Sequence, residues 1–218
     1  MKLLLTSNGI TNKSLAAALR KLVKGRVRTA FIPTAANLSK SKDRNWLVEH
    51  YNQFRRLGPI DIVDISAVDR RIWLPRIRYA NVIVFGGGGG EGISHLMHWI
   101  IKSGLKKELP KLLNRRIYVG ISAGSIIASK SLVTSSEFLY SKSKMTAPAG
   151  LGYVDFWVRP HFNSARFPKL KGRYLNLVAG KIGDIYAIDD RTGIVCEDGI
   201  VRVVSEGEWR RYPEIKTL

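Results

Sequence analysis

The sequence predicts an α/β fold: a mostly parallel sheet with helices on both faces, closed by a C-terminal β-hairpin. Three observations carry this reading. Short β-rich runs alternate with segments of helical period. The run "ANVIVF" (80–85) is apolar through its centre, as a strand covered on both faces must be. Near the C terminus, two β-branched runs flank a Gly-containing turn in "TGIVCEDGIVRVV" (192–204).

The elements follow in order. "KLLLTS" (2–7) is a first strand, and Leu15, Leu19 and Leu22 recur behind it at helical spacing. "RTAFIP" (28–33) is a second strand, ended by Pro33. Leu47, Tyr51 and Phe54 mark a helix that Gly58 and Pro59 close. "IDIVDI" (60–65) is a third strand and "ANVIVF" a fourth. Ile93, Leu96, Met97, Ile100 and Ile101 are expected to form the buried face of the next helix. "RRIYVGIS" (115–122) is a fifth strand, and "AGSIIAS" begins a helix. "FWVRP" (156–160) and "GDIYAID" (183–189) read as further strands before the hairpin. No repeat, linker or low-complexity segment interrupts the 218 residues, which read as one domain, 1–218.

Composition narrows the function. No run of about 18 apolar residues exists, so no membrane span is expected. "MKLLLTS" has too short an apolar stretch for a signal peptide. Cys196 is the single cysteine, which excludes an internal disulfide and a cysteine metal site and fits a reducing, cytoplasmic setting. The net charge is +19, from 36 Lys and Arg against 17 Asp and Glu. The basic residues are dispersed along the chain, with no basic arm or aromatic-interleaved stripe, so a solvated basic surface is the plain reading. A field that favours an acidic small substrate is the next.

Two segments fall where open parallel sheets gather function, at the carboxyl ends of strands. "FGGGGGEG" (85–92) places five glycines before a helix, a composition suited to close backbone approach and free N–H groups. It lacks the Lys and Ser/Thr of a P-loop. "GISAG" (120–124) fits a nucleophile elbow between strand and helix. Ser122 would stand at the tip. The N–H of Ala123 would face a developing oxyanion, with Gly88 as a second donor. Of four histidines, His161 follows "WVRP" at a strand end and is placed to serve Ser122. His50 lies on an amphipathic helix and is expected to face solvent. His95 and His98 read as a structural or exposed pair rather than as metal ligands.

"VIVFGGGGG", "GISAGS" and "VRPHFN", in that order, resemble the aspartyl dipeptidase (dipeptidase E) family of serine peptidases, to which cyanophycinases are related. "LLLTSNG", "AFIPTA" and "EDGIVRVV" extend the resemblance over nearly the whole chain. It implies a fold of the class I glutamine amidotransferase type, flavodoxin-like, with Ser in place of Cys. It implies a cytoplasmic hydrolase that cleaves dipeptides with an N-terminal aspartate, with no metal or other cofactor. The small peptide would be its partner, with no membrane and no obligatory nucleic acid, in a monomer or homodimer. The nucleophile falls on Ser122, the base on His161 and the third member on Glu137, where the family commonly has Asp. Asp155, Asp189 and Asp190 rank behind Glu137. The resemblance places Gly89 at the substrate, in a glycine loop that departs from the family at Gly89 and Gly90, where the family's pocket-shaping side chains are missing. The family's basic segment is shortened here to Arg166, Lys169, Lys171 and Arg173, of which Arg173 is favoured for a substrate carboxylate. The alternatives are a related amidase or peptidase of other acidic or isoaspartyl specificity, and an inactive homologue that binds polyanions.

Overall fold

In the computed structural model, residues 1–139, 147–165 and 172–213 are described. The larger sheet takes β1 (Lys2–Thr6), β2 (Thr29–Ile32), β3 (Ile60–Ile62), β4 (Val82–Phe85) and β5 (Ile117–Ile121) as parallel strands. Its order is β3-β2-β4-β5-β1, followed by the antiparallel pair β8 (Thr192–Glu197) and β9 (Ile200–Ser205). The expected hairpin is therefore present and completes the sheet beside β1. The strands read as "FWVRP" and "GDIYAID" form β6 (Trp157–Arg159) and β7 (Ile185–Ile188). They do not join the main sheet. With β10 (Trp209–Tyr212) they make a separate three-stranded sheet in the order β10-β7-β6.

Side-chain alternation sorts the strands onto two cores. On β4, Val82 and Val84 pack with Leu15, Leu19 and Phe54, while Ile83 and Phe85 pack with Leu74, Leu96 and Leu109. Both sets are buried, which is why "VIVF" is continuously apolar. The first face is covered by α1 (Lys13–Leu22) and α2 (Asn45–Arg55). The second is covered by α3 (Arg70–Tyr79), α4 (Gly92–Lys102) and α5 (Leu105–Leu113). Asn12 caps α1, its side chain accepting from the Leu15 N–H at 2.9 Å, and Asp69 caps α3 by accepting from the Arg71 N–H at 2.8 Å. The short α6 (Ala123–Ile126) and α7 (Ser136–Leu139) and the longer α8 (Gly172–Ile182) follow. No helix among the described residues is long and apolar enough to cross a membrane.

Register aligns the parallel strands almost flush. Thr29 pairs with Ile60 and Val82, Val82 with Ile117, and Ile117 with Lys2. Their carboxyl ends therefore open onto one edge, where β1 leads to Ser7, β4 to the glycine run and β5 to Ser122.

Candidate active site

Ser122 sits where β5 turns into α6, with φ 49° and ψ −101°. A non-glycine residue rarely holds such a backbone, and the surroundings enforce it. The Ser122 N–H donates to the Thr6 carbonyl at 3.0 Å, and the Ser125 hydroxyl donates to the same oxygen at 2.7 Å. The bend brings α6 against β4 so closely that a Cβ on Gly124 would overlap the Phe85 carbonyl. Ala123 occupies the first position of α6, where an N–H has no partner within its helix.

The glycine run leaves β4 and passes beside this bend. Gly87 lies next to Ser122 and His50. A Cβ on Gly88 would overlap the Ala35 carbonyl, which belongs to a 3₁₀ turn, Thr34–Leu38. Gly88 therefore allows the loop to lie flat on that turn, with Gly87, Gly88 and Gly89 walling a cleft of about 680 Å³ that also meets Ser122, His161 and Asp190.

His161 follows β6 and Pro160, with φ 61°. Its Nε2 lies 2.9 Å from Ser122 Oγ, and its Nδ1 lies 2.7 Å from Asp190 Oδ1. The imidazole is largely shielded, with its side chain 11% exposed, against 36% for Asp190. Ser7, at the end of β1, is fully buried and ties the group together. Its hydroxyl accepts the His161 backbone N–H at 2.8 Å and donates to Asp190 Oδ1 at 2.7 Å. Asp190 is carried by the turn from β7 to β8. The neighbouring Asp189 shapes that turn by accepting from the Arg191 N–H at 3.0 Å and the Thr192 hydroxyl at 2.6 Å. Sequence reasoning missed Ser7; its only signal was its place at the carboxyl end of a buried strand.

The acid behind the imidazole corrects one expectation. Among the described residues the carboxylate beside Nδ1 is that of Asp190, a residue ranked behind Glu137. Glu137 falls in α7, and its side chain lies outside the described residues. Arg173 is corrected as well. It is exposed on the first turn of α8 and is absent from the cleft wall. Arg166, Lys169 and Lys171 lie outside the described residues.

His50 overturns a third expectation. It is 4% exposed and lines the cleft, with Nε2 3.0 Å from Asn8 Oδ1. Gln53, one turn on, accepts the Ile10 N–H at 2.8 Å and donates to the Asn8 carbonyl at 3.2 Å. This polar stripe of α2 is thus buried against the loop after β1 instead of facing water. Burial, reinforced by the nearby His161, pushes the His50 pKa down to about 4, with Asp190 opposing. His95 is partly buried and His98 exposed, and no metal-ligand cluster occurs among the described residues. The described cleft wall carries Asp43, Glu49 and Asp190 but neither Lys nor Arg.

A family model described as peptidase family S51 matches residues 3–204. No curated protein matches. Among solved structures, a candidate peptidase E protein from Listeria monocytogenes EGD-e superposes with a TM-score of 0.74 at 21% identity, covering 94% of this chain and 98% of its own. A peptidase from an acI-B1 Actinobacterium gives 0.71 at 20% identity, covering 95% and 88%. At these identities the two structures speak to the fold.

Proposed function

The chain belongs to peptidase family S51, and on that premise we propose that it is a serine exopeptidase acting on dipeptides with an N-terminal aspartate. The observation that carries the mechanism is the 2.9 Å contact between Ser122 Oγ and His161 Nε2, backed by Asp190 at 2.7 Å. His161 Nε2 takes the hydroxyl proton as Ser122 Oγ attacks the peptide carbonyl carbon. Negative charge gathers on the carbonyl oxygen, facing the N–H groups of Ala123 and Gly88. Collapse of this intermediate breaks the C–N bond, and His161 gives its proton to the leaving amine. Water then repeats the attack on the acyl-enzyme, His161 again moving the proton, and the acid departs. Asp190 accepts the Nδ1–H hydrogen bond throughout and stabilises the imidazolium.

The resemblance supports aspartate selectivity, and a basic protein draws acidic substrates. One observation favours a second reading, a peptidase of this mechanism with another specificity. Asp43 and Glu49 on the cleft wall suit an amino group or a basic side chain rather than a second carboxylate. A panel of Asp-Leu, isoaspartyl-Leu and Lys-Leu separates the readings. Ser122→Ala should reduce hydrolysis of the preferred dipeptide to background while leaving the unfolding transition unchanged. Undiminished turnover by that variant removes the mechanism, and preference for Lys-Leu removes the aspartate selectivity alone.

A further inference from the structure

Seven of the arginines that are scattered in the sequence are gathered by the topology at one pole. Each of the four adjacent parallel strands β2 to β5 is preceded by a segment that carries arginine: Arg26 and Arg28 before β2, Arg55 and Arg56 before β3, Arg78 before β4, Arg115 and Arg116 before β5. Flush register sets these lead-ins side by side. A Cβ on Gly58 would overlap the Val27 carbonyl, so the first two lead-ins touch. Arg28 Nε donates to the Tyr79 carbonyl at 3.3 Å, and Arg116 donates to the carbonyls of Arg78 and Ala80, so the others touch too. Four adjacent strands give a row about 14 Å wide, and strands of this length separate it from the cleft by roughly 15 Å.

Little negative charge answers this row. Glu108 pairs with Arg70 and Arg78, and Glu49 with Arg56. Glu197 and Asp198, beyond β1, are held by Lys2 and the N-terminal amine. Among the described residues, Arg26, Arg28, Arg55, Arg115 and Arg116 have no carboxylate partner. Tyr79 stands in the middle, 73% exposed, with the Arg28 guanidinium 5.3 Å from its ring centre. Burial and then the charges of Arg78 and Arg115 lower the Arg116 pKa, which reports the same crowding of like charge.

We infer that this strand-entry pole, opposite the peptidase cleft, binds single-stranded nucleic acid. A row of guanidinium groups without carboxylate partners follows a phosphate backbone, and an exposed aromatic ring among them offers a face for a base. A bilayer surface would call for a broad apolar flank, whereas Tyr79 is a single ring among cations.

The test is fluorescence anisotropy with a labelled oligothymidylate across a salt series. Engagement of Arg26, Arg28, Arg55 and Arg115 predicts a log–log salt slope of about −2.8, from roughly 0.7 per neutralised phosphate. Arg26, Arg55 and Arg115 are exposed, so their joint replacement by Glu should leave the fold and dipeptide hydrolysis intact. Binding should weaken at least roughly tenfold and the slope shrink by about 2. The same charge change at Lys13, Lys181 and Arg202 should weaken it much less. Tyr79→Ala should weaken oligothymidylate roughly tenfold and leave inorganic polyphosphate unaffected. The inference falls if the pole variant binds like the parent, if the control variant loses as much, or if Tyr79→Ala weakens both ligands equally. It also falls if the protein binds phosphatidylserine vesicles and no oligonucleotide. Ser122→Ala should bind normally, so loss of hydrolysis and loss of binding report on separate proposals.

Discussion

Replacing Asp190 by Asn asks which acid serves His161. In the proposed mechanism the imidazole becomes a cation in the transition state, with Asp190 Oδ1 2.7 Å from Nδ1. Taking the charge centres as about 4 Å apart, an effective dielectric of 20 gives about 4 kcal/mol of stabilisation. The Asp190 side chain is 36% exposed, so solvent screening reduces this to about 2–3 kcal/mol. The corresponding loss in kcat/KM is roughly 30–150-fold. It is smaller than the ~10⁴-fold loss for a buried triad aspartate. Asn keeps the volume of the side chain, and the Ser7 hydroxyl can still donate to its amide oxygen, so the melting temperature should move little. The assay is the initial rate of amine release from the preferred dipeptide for Asp190→Asn and Glu137→Gln together. Glu137→Gln should stay within about twofold of the parent, since Asp190 occupies the place beside Nδ1. Near-normal rates for Asp190→Asn, or a collapse confined to Glu137→Gln, would refute the assignment.

Two further outcomes follow from the same geometry. His50 is about 4 when folded against 6.5 as a free side chain, so the unfolded chain binds more protons between these values. Stability contributed by keeping it neutral is complete above pH 6.5 and is lost as pH falls toward 4; from pH 7.5 to pH 5 the loss is about 2 kcal/mol. Urea unfolding should show this, and His50→Gln should flatten the dependence; an unchanged slope would remove His50 as its source. Ser7→Ala deletes the acceptor of the His161 N–H and a donor to Asp190, which predicts roughly a tenfold fall in kcat with KM little changed, plus about 1–2 kcal/mol of stability. A rise in KM alone would show that Ser7 shapes substrate binding instead of the imidazole.

Much of the fold is legible in the chain because burial on two faces leaves a local mark. "VIVF" is apolar throughout since Val82 and Val84 meet one set of helices and Ile83 and Phe85 the other. The elbow is legible because its small residues lie close together in the chain: a Cβ on Gly120 would meet Gly124 and Ser125, while Gly124 answers the Phe85 carbonyl and Ser122 the Thr6 carbonyl, both brought from distant strands. β6 and β7 were read as strands, but their own sheet was not, because partner choice is a long-range matter. α3 and α5 carry interior prolines, Pro75 and Pro110, within their first two turns and were not read as helices.

What the sequence determined by itself is therefore what neighbouring residues impose on one another: the strand–helix alternation, the strained bend at Ser122 and the family resemblance. Tertiary structure alone decided which carboxylate meets His161, since Asp190 lies 29 positions away along the chain and arrives on a turn between two different sheets. It also decided that His50 is buried, and that dispersed arginines converge at one pole. These facts depend on strand order and register, which are set by the energy of the whole packed sheet rather than by any short stretch of chain.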